Sequence, residues 1–141
     1  MSNGTPGAVN SVRSTNVAPL IMEATHLPIV PKSTEPVAVI ARIVDEAASG
    51  LTVTLFYRVD AASPPSFSST AMFDNGTQAD GAAGDGIYGV LLNGLQNNNL
   101  IEYYIQATDA GSRSRTWPAP AINASDLGSG NLGQVANAMF Q

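Results

Sequence analysis

In two stretches of the sequence, apolar and mostly polar side chains alternate with a period of two. This alternation constrains the fold more than any other feature. Every odd position in residues 51–59 is apolar or aromatic, and most of the even positions are polar. Residues 100–109 repeat the pattern, with Ile101, Tyr103 and Ile105 in one phase. A period of two directs one phase of a strand to one face of a sheet. Both stretches are therefore predicted to be β-strands with one buried face.

Five further segments carry strand signals. The clearest is residues 36–45, a nearly continuous apolar run with β-branched residues. The five segments are residues 19–28, 36–45, 67–73, 87–92 and 113–117. Turn-forming residues separate the segments at intervals of roughly 8–12 residues, which is typical of an all-β domain. About seven short strands with this spacing predict an antiparallel β-sandwich of the immunoglobulin-like, or fibronectin-III-like, kind.

The charge composition supports this fold class and limits the partners. Charged residues make up only 12% of the chain, about half the usual share, which disfavours long surface helices. The formal net charge is −5 and the six basic residues are scattered. We therefore do not expect nucleic-acid binding, which needs a basic patch. No apolar run approaches the ~20 residues of a membrane span, so we do not expect membrane insertion either. The absence of cysteine excludes a disulfide framework and a thiol nucleophile.

The predicted strands divide the chain into three parts. Residues 1–17 are rich in Gly, Asn and Ser without a period, and we expect a flexible lead-in. The sandwich is predicted to occupy residues 18–118. Residues 119–141 return to Ala, Asn, Gly and Ser, and are expected to be a C-terminal extension or linker.

An acidic, glycine-rich stretch at residues 73–88 interrupts the predicted strands. Asp74, Asp80 and Asp85 within it could converge with backbone carbonyls on a calcium ion. Their spacing is not that of an EF-hand. Alternatively, each Asp caps its own turn by accepting backbone N–H groups, while the glycines supply positive φ angles. The residues favour the capping interpretation, and calcium is the one cofactor they leave open.

No residues in the chain form a recognisable catalytic set. His26 is the only histidine, it follows no nucleophile motif, and we expect it at the surface or at a strand edge. The chain is therefore predicted not to be an enzyme.

Two aromatic residues form the other candidate site. Phe56 and Tyr104 fall on the outer phase of their strands. If these strands pair, the two rings could form a ligand-binding platform for a sugar or a neighbouring domain. Alternatively, a terminal tail covers this face.

Four sequence motifs resemble those of one bacterial family. They are Met72-Phe-Asp-Asn-Gly, Ala79-Asp-Gly, Ala83-Gly-Asp-Gly-Ile-Tyr88 and Glu102-Tyr-Tyr-Ile-Gln-Ala-Thr-Asp109. The family comprises immunoglobulin-like or fibronectin-III-like modules of large exported multidomain proteins. The resemblance covers residues 18–118, and the chain departs from the family pattern at Asn75, where Asp is more usual.

The flanks are similar to segments found beside such modules. Residues 4–11 look like the end of a lamin-tail domain, and residues 135–141 look like the lead into a spore-coat-kinase-like region. The resemblance implies a structural or interaction module, secreted or at the cell surface, whose partners are neighbouring domains of the same polypeptide. Two alternatives stay open, namely a module that binds polysaccharide or a cell surface, and a calcium-stabilised accessory domain of a catalytic neighbour.

Overall fold

A computed structural model describes residues 15–32, 35–120 and 137–141 of the chain. These residues are all-β: they contain no helix, and hence none long and apolar enough to span a membrane. They form eight strands, namely β1 (Leu20–Leu27), β2 (Val37–Val44), β3 (Thr52–Val59), β4 (Ser68–Met72), β5 (Ile87–Leu92), β6 (Ile101–Thr108), β7 (Ser114–Trp117) and β8 (Ala138–Phe140). The seven strands predicted from the sequence are thus confirmed.

The strands form two antiparallel sheets, which we call the first and the second sheet. The first has the order β1-β2-β5, and the second has the order β4-β3-β6-β7, with β8 also paired to β6. Every strand pairing is antiparallel. The predicted all-β, antiparallel sandwich is therefore the fold of the described residues.

The hydrophobic core comes from one phase of each long strand, as the period of two requires. Leu55 of β3 and Ile105 of β6 are directly opposite each other and fully buried. From the first sheet, β2 contributes Val37, Val39, Ala41 and Ile43. Tyr103 lies in the same core, and burial raises the pKa of its phenol to about 12.

The chain passes from one sheet to the other between two consecutive residues. Met72, the last residue of β4, is opposite Val53 in the second sheet. The next residue, Phe73, pairs instead with Gly89 of β5, its N–H donating to the Gly89 carbonyl at 2.9 Å and its carbonyl accepting at 2.8 Å. This crossing sets the acidic stretch against the free edge of β5.

Strand β8 was not predicted from the sequence, which placed residues 119–141 outside the sandwich as an extension or linker. Phe140 is only 5% exposed and belongs to the core, where its ring lies 4.9 Å from that of His26 and 5.8 Å from that of Tyr103. The last residues are thus part of the second sheet, because β6 offers them an edge beyond β7. Residues 121–136 lie outside the described residues.

The predicted lead-in at residues 1–17 falls largely on residues 1–14, which are outside the described part of the chain. The described end of this segment is attached to the sandwich. The backbone N–H of Val17 donates to the Glu46 carboxylate at 2.9 Å.

Replacing Phe140 with alanine should lower the free energy of unfolding by about 3 kcal/mol, because truncating a buried Phe leaves a cavity. For a domain of this size, the melting temperature should fall by about 10 °C. The adjacent Met139→Ala is the matched control, since Met139 is 50% exposed. Thermal and urea unfolding would measure both variants. Equal effects at the two positions would contradict the burial of β8 in the core.

Candidate functional site

Asp80 is the central residue of the acidic loop, and its side chain is completely buried, with an exposed fraction of 0%. Its carboxylate accepts backbone N–H groups from Asn75 at 2.6 Å, Gly76 at 2.8 Å and Gln78 at 2.7 Å. Burial alone would raise the pKa of Asp80, but the backbone donors together outweigh it and lower the pKa below its ordinary value. The buried carboxylate therefore stays ionised and holds the first turn of the loop.

Asp74 closes the other half of the loop. Its carboxylate accepts the N–H groups of Gly84 at 2.7 Å, Asp85 at 3.3 Å and Gly86 at 2.9 Å. These donors follow Asp74 by ten to twelve residues, so this bond set ties the beginning of the loop to its end. The Asp74 side chain therefore links the residue pair after β4 to the residues just before β5.

Asp85 caps the last turn before β5. Its carboxylate accepts from Ile87 at 2.9 Å and from Ala82 at 3.0 Å, and these two bonds lower the pKa of Asp85. Gly81 lies directly beside it with a φ of +79°, and a Cβ there would come within 2.5 Å of the Asp85 carboxylate. The positive φ favours glycine at position 81, and an added Cβ would also displace the Asp85 carboxylate that accepts from Ala82.

The loop is also attached to β5 through close packing at Gly89. A Cβ at Gly89 would lie 2.5 Å from the Gln78 carbonyl oxygen and 3.0 Å from Asp80 Cβ. The Gln78 side chain accepts the N–H of Leu91 at 3.2 Å. The absence of a side chain at position 89 therefore lets the loop reach β5 and bury Asp80.

The geometry of the loop explains its carboxylates as acceptors of backbone hydrogen bonds. Asp74, Asp80 and Asp85 are close in sequence, but the structure does not bring them together as a ligand set. In the described ranges, no three acidic, histidine or cysteine side chains are grouped so that they could hold a metal ion. Asn75 likewise bonds locally, its side-chain oxygen accepting from the N–H of Thr77 at 3.0 Å. The arrangement matches the capping interpretation of the sequence.

The structure brings the two predicted aromatic residues into direct contact on the outer face of the second sheet. Phe56 and Tyr104 are opposite each other in the β3–β6 register, and their rings stack 4.7 Å apart at an angle of 7°. The edge-on ring contact between Phe67 and Tyr104, at 5.1 Å, was not predicted. Burial raises the pKa of Tyr104. We call Phe56, Phe67 and Tyr104 the aromatic cluster.

A charged pair that the sequence analysis missed adjoins the aromatic cluster. Arg58 and Glu102 are opposite in register, and the Arg58 Nε donates to Glu102 Oε1. The Arg58 guanidinium also lies 4.2 Å from the centre of the Phe67 ring, a cation–π contact. Asn137 donates to the other oxygen of Glu102 at 2.8 Å. Glu102 lies on the outer phase of β6, and because these partners cover it, it is only 5% exposed.

His26 has a packing role in the structure. It lies half-buried in β1, with Nε2 3.3 Å from the Ile29 carbonyl oxygen and its ring stacked on Phe140. One ring nitrogen of His26 and one face of its ring are thus in contact with other residues of the protein.

No protein-family model and no curated protein sequence matches this chain. Function is therefore inferred from the structure of the described residues.

Replacing Asp80 with asparagine should destabilise the protein by about 1–3 kcal/mol at pH 7, because the amide cannot accept from all three buried N–H groups. It should also change the pH dependence of stability. The folded pKa of Asp80 is lowered, so its contribution is complete above the unfolded value of about 3.9 and is lost as pH falls through the folded pKa.

Urea unfolding between pH 7 and pH 2 would measure this dependence. The wild-type stability should decline more steeply below about pH 4 than that of Asp80→Asn. The exposed Asp60 offers a matched control, and Asp60→Asn should retain the wild-type profile. Parallel profiles for Asp80→Asn and the wild type would refute the role of the buried carboxylate.

Replacing Gly89 with alanine should cost about 1–3 kcal/mol, because the added methyl overlaps the Gln78 carbonyl and displaces the loop. The comparison variant is Gly94→Ala, where a Cβ meets nothing within 4 Å and only the positive φ is unfavourable. Amide hydrogen exchange would distinguish the two. Exchange at Asn75, Gly76 and Gln78 should accelerate in Gly89→Ala and stay unchanged in Gly94→Ala.

Proposed function

We propose that this chain is a non-catalytic, immunoglobulin-like module of a larger exported polypeptide, and that it holds the domains on either side of it apart. The observation that carries the proposal is the path of the described chain. It enters the sandwich at one end and leaves it at the opposite end. A module with this path separates whatever is attached before it from whatever is attached after it.

The contacts of the first and last described residues define the two ends. At the entry end, the Val17 N–H is bonded to Glu46, and Leu20 lies opposite Val44. At the exit end, Phe140 lies opposite Ile101. Strands such as β2 and β6 have eight residues each and connect the two ends over about 26 Å. The module would therefore hold its entry and exit ends about that far apart.

The strand order supports membership of the immunoglobulin-like class. In immunoglobulin sandwiches, the first, second and fifth strands share one sheet, and the third, sixth and seventh share the other. The present chain has β1-β2-β5 in the first sheet and β3-β6-β7 in the second, with β4 added beside β3. This order agrees with the family resemblance of the sequence motifs, which in turn supports a secreted or cell-surface location.

The bonding of the acidic loop supports a structural function. The three loop carboxylates together accept eight backbone N–H bonds. Carboxylates bonded in this way rigidify the connection between β4 and β5. A rigid connection between sheets suits a module whose task is to keep a fixed length.

Distance measurement between spin labels at the two ends tests the proposed separation. The chain has no native cysteine, so Val17→Cys and Gln141→Cys would be labelled selectively. The expected separation is about 25–35 Å with a narrow distribution, given the strand length. The control pair, Val17→Cys with Ala47→Cys, lies at the entry end and should give a much shorter distance. A Val17–Gln141 distance no longer than the control would contradict the proposal.

A second candidate function is carbohydrate or cell-surface binding through the aromatic cluster. The observation in its favour is that three aromatic rings and the Arg58 guanidinium gather on one outer face. Aromatic rings bind sugars through an exposed face. Phe56 and Tyr104 stack on each other, so each ring already uses one face inside the protein. This function therefore ranks second.

Affinity electrophoresis through gels containing a panel of soluble polysaccharides would distinguish the two functions. A spacer should migrate at the same rate with and without polysaccharide. Retardation of the wild type that is lost in the double variant Phe56→Ala, Tyr104→Ala would favour carbohydrate binding. Met22→Ala is the control, since Met22 lies in β1 of the other sheet and is partly exposed.

A further inference from the structure

The dipeptide Asn-Gly occurs twice in the described residues, at Asn75-Gly76 and at Asn93-Gly94. Both asparagines are exposed, and both glycines have a positive φ, +75° at Gly76 and +71° at Gly94. The two pairs are therefore alike in sequence, in exposure and in the φ angle of the glycine. They differ in the hydrogen bonds of the glycine nitrogen and of the asparagine side chain.

An asparagine that precedes a glycine can lose its side-chain amide to attack by its own backbone. The glycine nitrogen forms a bond to Cγ of the asparagine, the bond from Cγ to the side-chain nitrogen breaks, and ammonia leaves with the proton of the glycine N–H. Water then opens the five-membered imide at either carbonyl, which yields aspartate or isoaspartate. The attack is intramolecular, and glycine has no side chain to shield its nitrogen. The rate therefore depends on whether the glycine nitrogen is free to attack.

At Asn75-Gly76, both reacting groups are bonded to other residues. The Gly76 N–H donates to the carboxylate of the fully buried Asp80 at 2.8 Å. Attack would require this nitrogen to lose its proton beside an ionised carboxylate, which brings two negative charges together where little water screens them. The Asn75 side-chain oxygen accepts the Thr77 N–H at 3.0 Å and the Thr77 hydroxyl at 2.6 Å, which holds the amide in place.

At Asn93-Gly94, neither reacting group is held in this way. Among the residues that the structure describes, the Gly94 N–H donates no hydrogen bond and the Asn93 side chain makes none. The Gly94 carbonyl accepts from the Gln96 side chain at 3.3 Å, which leaves the nitrogen free. A Cβ at Gly94 would meet nothing within 4 Å, so the turn has room for the imide ring.

We propose that Asn93 is a site of spontaneous modification, at which water converts the asparagine to aspartate or isoaspartate, and that Asp80 protects Asn75 from the same reaction. A hydrogen bond to a charged acceptor must break before the Gly76 nitrogen can attack. This requirement slows the reaction at Asn75 by about tenfold to a hundredfold. Two identical dipeptides in one chain therefore differ in reactivity because of one buried carboxylate.

The position of each pair in the fold decides what the modification does to the structure. Asn93 directly follows the last residue of β5, and the room around Gly94 accommodates the extra backbone carbon of an isoaspartate. The same carbon at position 75 would move two N–H groups away from the Asp80 carboxylate. The product at Asn93 therefore keeps the fold and adds one negative charge to the turn between β5 and β6.

Ageing of the unmodified chain tests the proposal at both sites in one sample. The folded protein would be kept at mildly alkaline pH, and peptide mapping by mass spectrometry would follow amide loss at each asparagine separately. Loss at Asn93 should be at least about tenfold faster than loss at Asn75. In urea, where Asp80 no longer holds the Gly76 nitrogen, the two rates should become similar. Equal rates in the folded chain, a folded chain that keeps its amide at Asn93, or a preference for Asn93 that persists in urea would overturn the proposal.

Variants separate the protection of Asn75 from the tolerance of change at Asn93. Asp80→Asn should speed amide loss at Asn75 by about tenfold or more and leave the rate at Asn93 unchanged. The control is Asp60→Asn at an exposed position, which should change neither rate. Asn93→Asp reproduces the aspartate product, and its melting temperature should equal that of the wild type. An unchanged rate at Asn75 in Asp80→Asn, equal acceleration at both sites, or a lower melting temperature of Asn93→Asp would contradict the proposal.

Discussion

Strand β6 is the element on which the rest of the structure depends, because both of its faces and both of its edges are used. Its inner phase, with Tyr103 and Ile105, lies in the core between the sheets. Its outer phase carries Glu102 and Tyr104, which organise the ion pair and the aromatic cluster. One edge pairs with β3 along its whole length, and the other is shared by β7 and β8. The aromatic cluster, the ion pair and the pairing of β8 therefore all depend on this strand.

The acidic loop shows how a motif that looks chemical becomes structural when its partners are known. A buried carboxylate without partners would lose its charge, because desolvation disfavours the ionised form. Asp80 keeps its charge because three backbone N–H groups point at it. Those donors would otherwise be unpaired in a turn, so the carboxylate and the turn satisfy each other. Asp74 also accepts three backbone N–H groups, and these bonds join the two ends of the loop.

Most of the fold could be predicted from the sequence, because strand signals are local. The alternation in residues 51–59 and 100–109 predicts both the strands and the phase that faces the core. The aromatic pair was predicted in part, since Phe56 and Tyr104 share the outer phase of strong strands. The salt bridge between Arg58 and Glu102 was missed, because it depends on a register that neither strand specifies alone.

Strand β8 marks the limit of prediction from local signals. Ala138–Phe140 is too short to show a period, and only one of its two large apolar side chains, Phe140, enters the core. It becomes a strand only because the edge of β6 beyond β7 is open and the core beside His26 accepts a ring. A three-residue strand gains its stability from the sheet that it joins, not from its own propensity.

The sequence by itself determined the all-β class, the positions of seven strands and the side chains that face the core. These follow from a period of two and from turn residues, which act over a few neighbouring positions. The tertiary structure alone decided which residues stand opposite each other, where the loop carboxylates find their donors, and that Phe140 completes the core. These depend on strand register and sheet edges, which bring together residues as distant as Glu102 and Asn137 or His26 and Phe140. Such pairings leave no trace in either local segment.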